Sequence, residues 1–133
     1  MMEGTILNWV RELAIYDQLT SLIKGLRRRV PEFRSLAVVS TDGLVIAADL
    51  PPDVDEDLFA ATHAALLSVG ERVSMESGTG PLHEIIVTGE KGKVVLMGAG
   101  PNAIIIAVVP ENVKLGLLLV ELRRAAREVE KML

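Results

Sequence analysis

The segment from Val54 to Met75 restricts the fold most, because it reads as a helix that is apolar on two opposite sides. At about 100° per residue, Leu58, Thr62, Ala65, Leu66, Val69 and Val73 fall together on one side. Ala60, His63, Ala64, Leu67, Glu71 and Met75 fall opposite, and charge enters that side only at Glu71. A surface helix normally shows water a charged face, so apolar residues all round mean burial all round. The stripe of larger residues is expected to cover a sheet, which leaves the side of Ala60 and Ala64 in need of a second layer. A domain of 133 residues has no such layer to spare. The economical supplier is a second copy of the same helix across a two-fold axis, the commonest symmetry of small oligomers. Small side chains at Ala60 and Ala64 would permit the close approach. The expected seam of a homodimer is therefore Ala60, His63, Ala64, Leu67 and Glu71, and Ala64→Glu with Leu67→Glu is expected to give soluble monomer.

The rest of the chain supplies the sheet. Residues 1–30 read as helix, carrying Ile6, Val10 and Leu13, then Leu19, Leu22, Ile23, Leu26 and Val30, at spacings of three and four. Tyr16-Asp17-Gln18 interrupts the run, which leaves one long helix or two short ones open. Pro31 ends it, with Arg27, Arg28 and Arg29 in the last turn, where the helix dipole favours cations. Leu36–Val39 and Leu44–Ala48 flank Ser40-Thr41-Asp42-Gly43, a hairpin pattern. Neither run alternates cleanly, as expected of a sheet covered on both faces. Pro51-Pro52 breaks the chain before Asp53-Val54-Asp55-Glu56, which offers the middle helix an N-cap and an acidic first turn. Gly78-Thr79-Gly80-Pro81 stops that helix. Leu82–Thr88, Lys93–Met97 and Ala103–Val109 then read as three strands of an antiparallel meander, given their short connections. A last helix from about Asn112 places Leu115, Leu118, Leu119, Leu122, Ala126 and Val129 on one stripe. The order α-β-β-α-β-β-β-α describes a single α+β domain. Within it, Ile86, Val87 and Thr88 lie on a strand with no Pro or Lys to guard it, so as a sheet edge it would pair with its symmetry mate.

Composition removes most conventional chemistry. The absence of cysteine excludes disulfides, thiolate metal sites and cysteine nucleophiles together. His63 and His83 are the only histidines, too few for an evident metal or general-base site. A net charge of −4 and a pI near 5.2 argue against a nucleic-acid partner, which needs clustered Lys and Arg. Mean hydropathy is +0.37, yet the longest apolar stretch, Ala103 to Pro110, is far short of the ~20 residues of a membrane span. Glu3, Asn8, Arg11 and Glu12 stand where a signal peptide would be apolar, so a cytoplasmic protein is expected.

Four motif matches dissolve on inspection. Gly98-Ala99-Gly100-Pro101-Asn102-Ala103 fits G-x-G-x-x-A, but the β-branched run Ile104-Ile105-Ile106 follows where a dinucleotide site needs a helix N-terminus. It reads as a hairpin turn. Asp53-Val54-Asp55-Glu56-Asp57 begins like a calcium loop, but Leu58 and Ala64 occupy the positions of its glycine and its bidentate glutamate. Ser21-Leu22-Ile23-Lys24 has the spacing of a serine nucleophile and its lysine without the companion motifs. Arg27-Arg28-Arg29 reads as a solvated helix end. No catalytic residue, cofactor or metal is expected.

The chain after about residue 17 resembles the Roadblock family of dynein light-chain type. The resemblance is carried by three segments, Ala37-Val38-Val39-Ser40-Thr41-Asp42-Gly43-Leu44-Val45-Ile46-Ala47, the helix Ala60–Arg72, and Val113-Lys114-Leu115-Gly116-Leu117-Leu118-Leu119. It implies a five-stranded antiparallel sheet, with the middle helix on one face and the N- and C-terminal helices on the other, a profilin-like layering. It also implies dimers that pair middle helices and join third strands into a ten-stranded sheet. Members of the family are not enzymes in their own right; they bind small Ras-like GTPases as regulators or scaffolds, and some stimulate a partner's GTP hydrolysis. On this resemblance residues 17–133 form the domain and residues 1–16, with Trp9 and Tyr16, a helical extension for packing or partner docking. The alternative of a different class is a small-ligand sensor of the longin or profilin kind, which would need polar groups converging on a pocket.

Overall fold

A computed structural model describes the backbone from Met2 to Leu133 and the side chains from Glu3 onward. The elements run α1 (Met2–Arg29), β1 (Ser35–Ser40), β2 (Val45–Asp49), α2 (Glu56–Glu76), β3 (Glu84–Gly89), β4 (Gly92–Gly98), β5 (Ala103–Val109) and α3 (Leu115–Met132). The strands form one antiparallel sheet in the order β2-β1-β5-β4-β3. The apolar runs become the strands because each is short, rich in β-branched residues and closed by a turn. β1 and β5, at the centre, are buried along nearly their whole length. This is what a sheet covered on both faces requires.

Two cores lie on the two faces. On one, Leu19, Leu22, Ile23 and Leu26 of α1 and Leu118, Leu122 and Val129 of α3 meet Val38, Val95 and Ile105 of the sheet. On the other, Ala60, Ala64 and Leu67 of α2 meet Ala37, Val39, Leu96, Ile104 and Ile106. The first core holds more than twice as many buried residues as the second. Ser35 is the one buried polar residue among those described. α1 is a single unbroken helix, since Tyr16-Asp17-Gln18 contains no residue that the helical backbone rejects. Its basic end is used: the Arg27 Nε donates to Asp49 Oδ2 at 2.6 Å and its Nη1 to the Phe33 carbonyl at 2.6 Å, while Arg29 pairs with Glu121 of α3 at 3.0 Å.

The turns follow the sequence. Asp42-Gly43 closes the β1–β2 hairpin, with the Ser40 N–H donating to the Leu44 carbonyl at 2.8 Å and Gly43 at a φ of 88°. Gly98–Asn102 is the β4–β5 turn, closed by the Ala99 N–H on the Ala103 carbonyl at 2.8 Å. Asp55 is the N-cap of α2; its carboxylate accepts from the Leu58 N–H at 3.1 Å, and Glu56 and Asp57 fill the acidic first turn.

Candidate functional site

α2 is apolar on two sides, but the two sides are exchanged relative to the expectation from sequence. Ala60, Ala64 and Leu67 are 0, 7 and 4% exposed and face the sheet, so they cannot form a seam with another molecule. Leu58, Val69 and Val73, expected to cover the sheet, are 65, 59 and 55% exposed. The physical reason is room. The β1–β2 turn rises under the first half of α2, where a Cβ on Gly43 would lie 3.3 Å from the Ala61 Cα and 3.7 Å from the Ala64 Cβ. Only small residues on that side of α2 let turn and sheet come so close. The alanines beside the turn serve approach within the monomer, Leu67 beyond them packs on the sheet, and Leu58, Val69 and Val73 are left outside. His63 sits half-buried at the boundary, its ring 4.0 Å from that of Phe59 and its Nδ1 2.6 Å from the Phe59 carbonyl oxygen. Glu71 and Met75 are exposed.

The expectation for the third strand has a firmer footing. β3 lies at an edge of the sheet and pairs with β4 alone, in the register Ile86↔Val95 and Val87↔Val94. Ile86, Val87 and Thr88 are exposed. The outward-facing backbone groups of such an edge invite a further strand. At its start, Glu84 is held by Arg123 of α3 at 2.8 Å.

The outer stripe of α2 and the open edge of β3 adjoin each other. Gly70 packs directly against Ile85, so closely that a Cβ at Gly70 would collide with the Ile85 side chain, and Leu82 lies alongside. The candidate site is therefore one surface: Leu58, Thr62, Ala65, Leu66, Val69 and Val73 along α2, continued by Val87 at the edge, while Ile86, opposite Val95, projects from the other face of β3 with Glu84. Among the described residues no ion pair crosses the centre of this surface; Arg72 and Glu76 pair with each other at its end, both well exposed. Nor does any cluster of three His, Asp or Glu among those residues have the geometry for a metal ion. The concavities are grooves between elements, one lined by Asp17, Ser21, Glu128 and Met132 and another by His83, Gly98, Arg127 and Glu130.

With this geometry in place, comparison with known proteins is decisive. The sequence profile of the Roadblock/LC7 domain matches residues 19–109. The chain belongs to the Roadblock/LC7 family. A curated relative, the uncharacterized protein MJ1340 of Methanocaldococcus jannaschii, is 38% identical over 95 residues, covering 71% of this chain and 82% of the relative. Among solved structures, the gliding protein MglB of Thermus thermophilus superimposes with a TM-score of 0.78 at 19% identity over 90% of both chains. A Roadblock/LC7 domain from Streptomyces avermitilis gives a TM-score of 0.77 at 24% identity, over 84% of this chain and 94% of that one. At these identities the structural likeness establishes the Roadblock fold. The family match begins at Leu19, so the first half of α1 lies ahead of it. No helix among the described residues is long and apolar enough to cross a membrane.

The exchanged faces were the residue-level miss. A signal that could have found them is the Asp42-Gly43 turn itself, since a hairpin beneath a helix needs small residues above it. The residues that the sequence reading assigned to the sheet, Leu58, Thr62, Ala65, Leu66, Val69 and Val73, form the exposed stripe instead.

Proposed function

We propose that this Roadblock protein is a cytoplasmic, non-enzymatic homodimer that binds a small Ras-like GTPase and modulates its nucleotide cycle or its position. The observation that carries the dimer is the uncharged outer stripe of α2, continuous with the open edge of β3. Two copies related by a two-fold axis would cover each other's stripe and join their β3 edges into a ten-stranded sheet. Both the apolar exposure and the unpaired backbone would then be satisfied at once.

The GTPase partner rests on family membership and on what that resemblance implies for the α/β platform. Such a regulator acts by differential affinity: it binds one arrangement of the switch loops better than the other and shifts their population accordingly. It can speed hydrolysis by orienting groups that the GTPase already carries. A dimer also offers two equivalent platforms, which suits a scaffold.

The test combines mass and binding. The purified protein is expected to sediment as a dimer, and to bind a Ras-like GTPase purified from the same organism with unequal affinity in its GDP-loaded and GTP-analogue-loaded forms. Equal affinity in both forms would reduce the role to tethering. No binding to any Ras-like GTPase of that organism would overturn the regulator and move weight to the ligand sensor.

A further inference from the structure

The first half of α1 carries a second apolar face, and it points away from the domain's own core. Every residue from Glu3 to Ala14 is exposed, a projection of about 20 Å at 1.5 Å per residue. Within it Ile6, Trp9, Leu13 and Tyr16 recur at three, four and three, the a/d pattern of a coiled-coil seam. All four are exposed, Trp9 by 69%. At about 100° per residue this seam is turned roughly a third of a revolution from the stripe of Leu19, Leu22, Ile23 and Leu26 that enters the core. It is therefore a separate face rather than an overhang of the core stripe.

Charge selects the occupant. In the heptad set by Ile6 and Trp9, the flanking positions hold Glu3, Thr5, Val10, Glu12 and Asp17, so every charge among them is negative, while the single cationic side chain of this half, Arg11, lies on the far side. A second copy packed in parallel would bring Glu12 against Asp17. Packed antiparallel, it would bring Glu3 against Asp17 and Glu12 against its own mate. Both arrangements repel, and so does an anionic lipid surface. We propose that the first half of α1 is a docking helix that pairs with an amphipathic helix of a different protein, one carrying Lys or Arg on both sides of its apolar seam. The site is separate from the α2–β3 surface, so the proposed homodimer and this helix pairing do not compete for one face.

Trp9 is the sole tryptophan of the chain and stands at the centre of the seam, which makes it the reporter. The full chain would be titrated with a designed four-heptad helical peptide bearing Leu and Ile in its seam and Lys at the flanks, and with a twin bearing Glu there. The expected result is a saturable blue shift of Trp9 emission with the Lys peptide, at least tenfold weaker with the Glu peptide. Leu13→Glu, at an exposed position that leaves the fold intact, should abolish it. Glu3→Lys with Glu12→Lys should reverse the preference towards the Glu peptide. Equal affinity for the two peptides, or binding of neither, would overturn the proposal. So would a blue shift on concentrating the protein alone, which would mean self-pairing, or on adding phosphatidylglycerol vesicles, which would mean a membrane surface.

Discussion

Two apolar stripes of this chain face solvent, and what separates them is the company they keep. The stripe on α2 lies on the body of the domain, bordered mostly by small or uncharged residues and by an unpaired strand edge, with Arg72 and Glu76 neutralising each other at its end. The stripe on α1 projects beyond the body and is bordered by Glu3, Glu12 and Asp17. A two-fold axis sets residues against their own kind, so a symmetric contact tolerates an uncharged border and penalises a border of one sign. The same physics thus supports the proposed like partner for α2 and the proposed unlike partner for α1. Hydrophobicity alone would treat the two stripes as equivalent.

The sharpest way to break this comparison is to move charge across α2. Ala64→Glu with Leu67→Glu would bury two carboxylates against the sheet, at a cost on the order of the domain's entire stability of ~5–15 kcal/mol. Circular dichroism is expected to report an unfolded chain rather than the folded monomer anticipated from sequence. On the opposite face, Val69→Glu with Val73→Glu should leave helicity unchanged and weaken the dimer by roughly 100-fold or more, read by sedimentation equilibrium. A persistent dimer would erase the distinction between the stripes.

Two neighbours refine the boundary. Leu67 is 4% exposed and Leu66 is 36% exposed. Leu67→Ala should cost about 2–5 kcal/mol in urea unfolding of the dissociated chain. Leu66→Ala should cost under about 1 kcal/mol there and weaken association instead. Equal costs would mean that the helix is rotated from the position described. The smallest effect is at the start of α2, where Asp55→Ala removes the cap on the Leu58 N–H and should lower stability by ~1 kcal/mol without touching association.

Much of the architecture was legible because its causes are local. The run Ala103–Val109 is β-branched and bounded by Pro101-Asn102 and Pro110, and β5 has those bounds. Asp42-Gly43 announced its hairpin, and Pro51-Pro52 with Asp55 announced the start of α2. The faces of α2 were not legible, because their order depends on the depth of a turn contributed by residues some twenty positions upstream. Periodicity locates an apolar face but does not say which of two such faces the sheet takes. α1 was less legible for a related reason: its apolar stripe changes direction between Leu13 and Leu19, which left one helix or two open where the structure has one.

The uneven thickness of the two cores has a consequence for how the protein behaves at different abundances. The layer under α2 is the smaller one, and in the proposed dimer the partner's helix covers α2 from its outer side. Association then adds to the stability of the folded chain by mass action, by an amount that depends on total concentration. Thermal melting should rise as the protein is concentrated. A cell that makes little of this chain would keep a larger share of it open to proteolysis, so that expression level itself sets how much active platform survives.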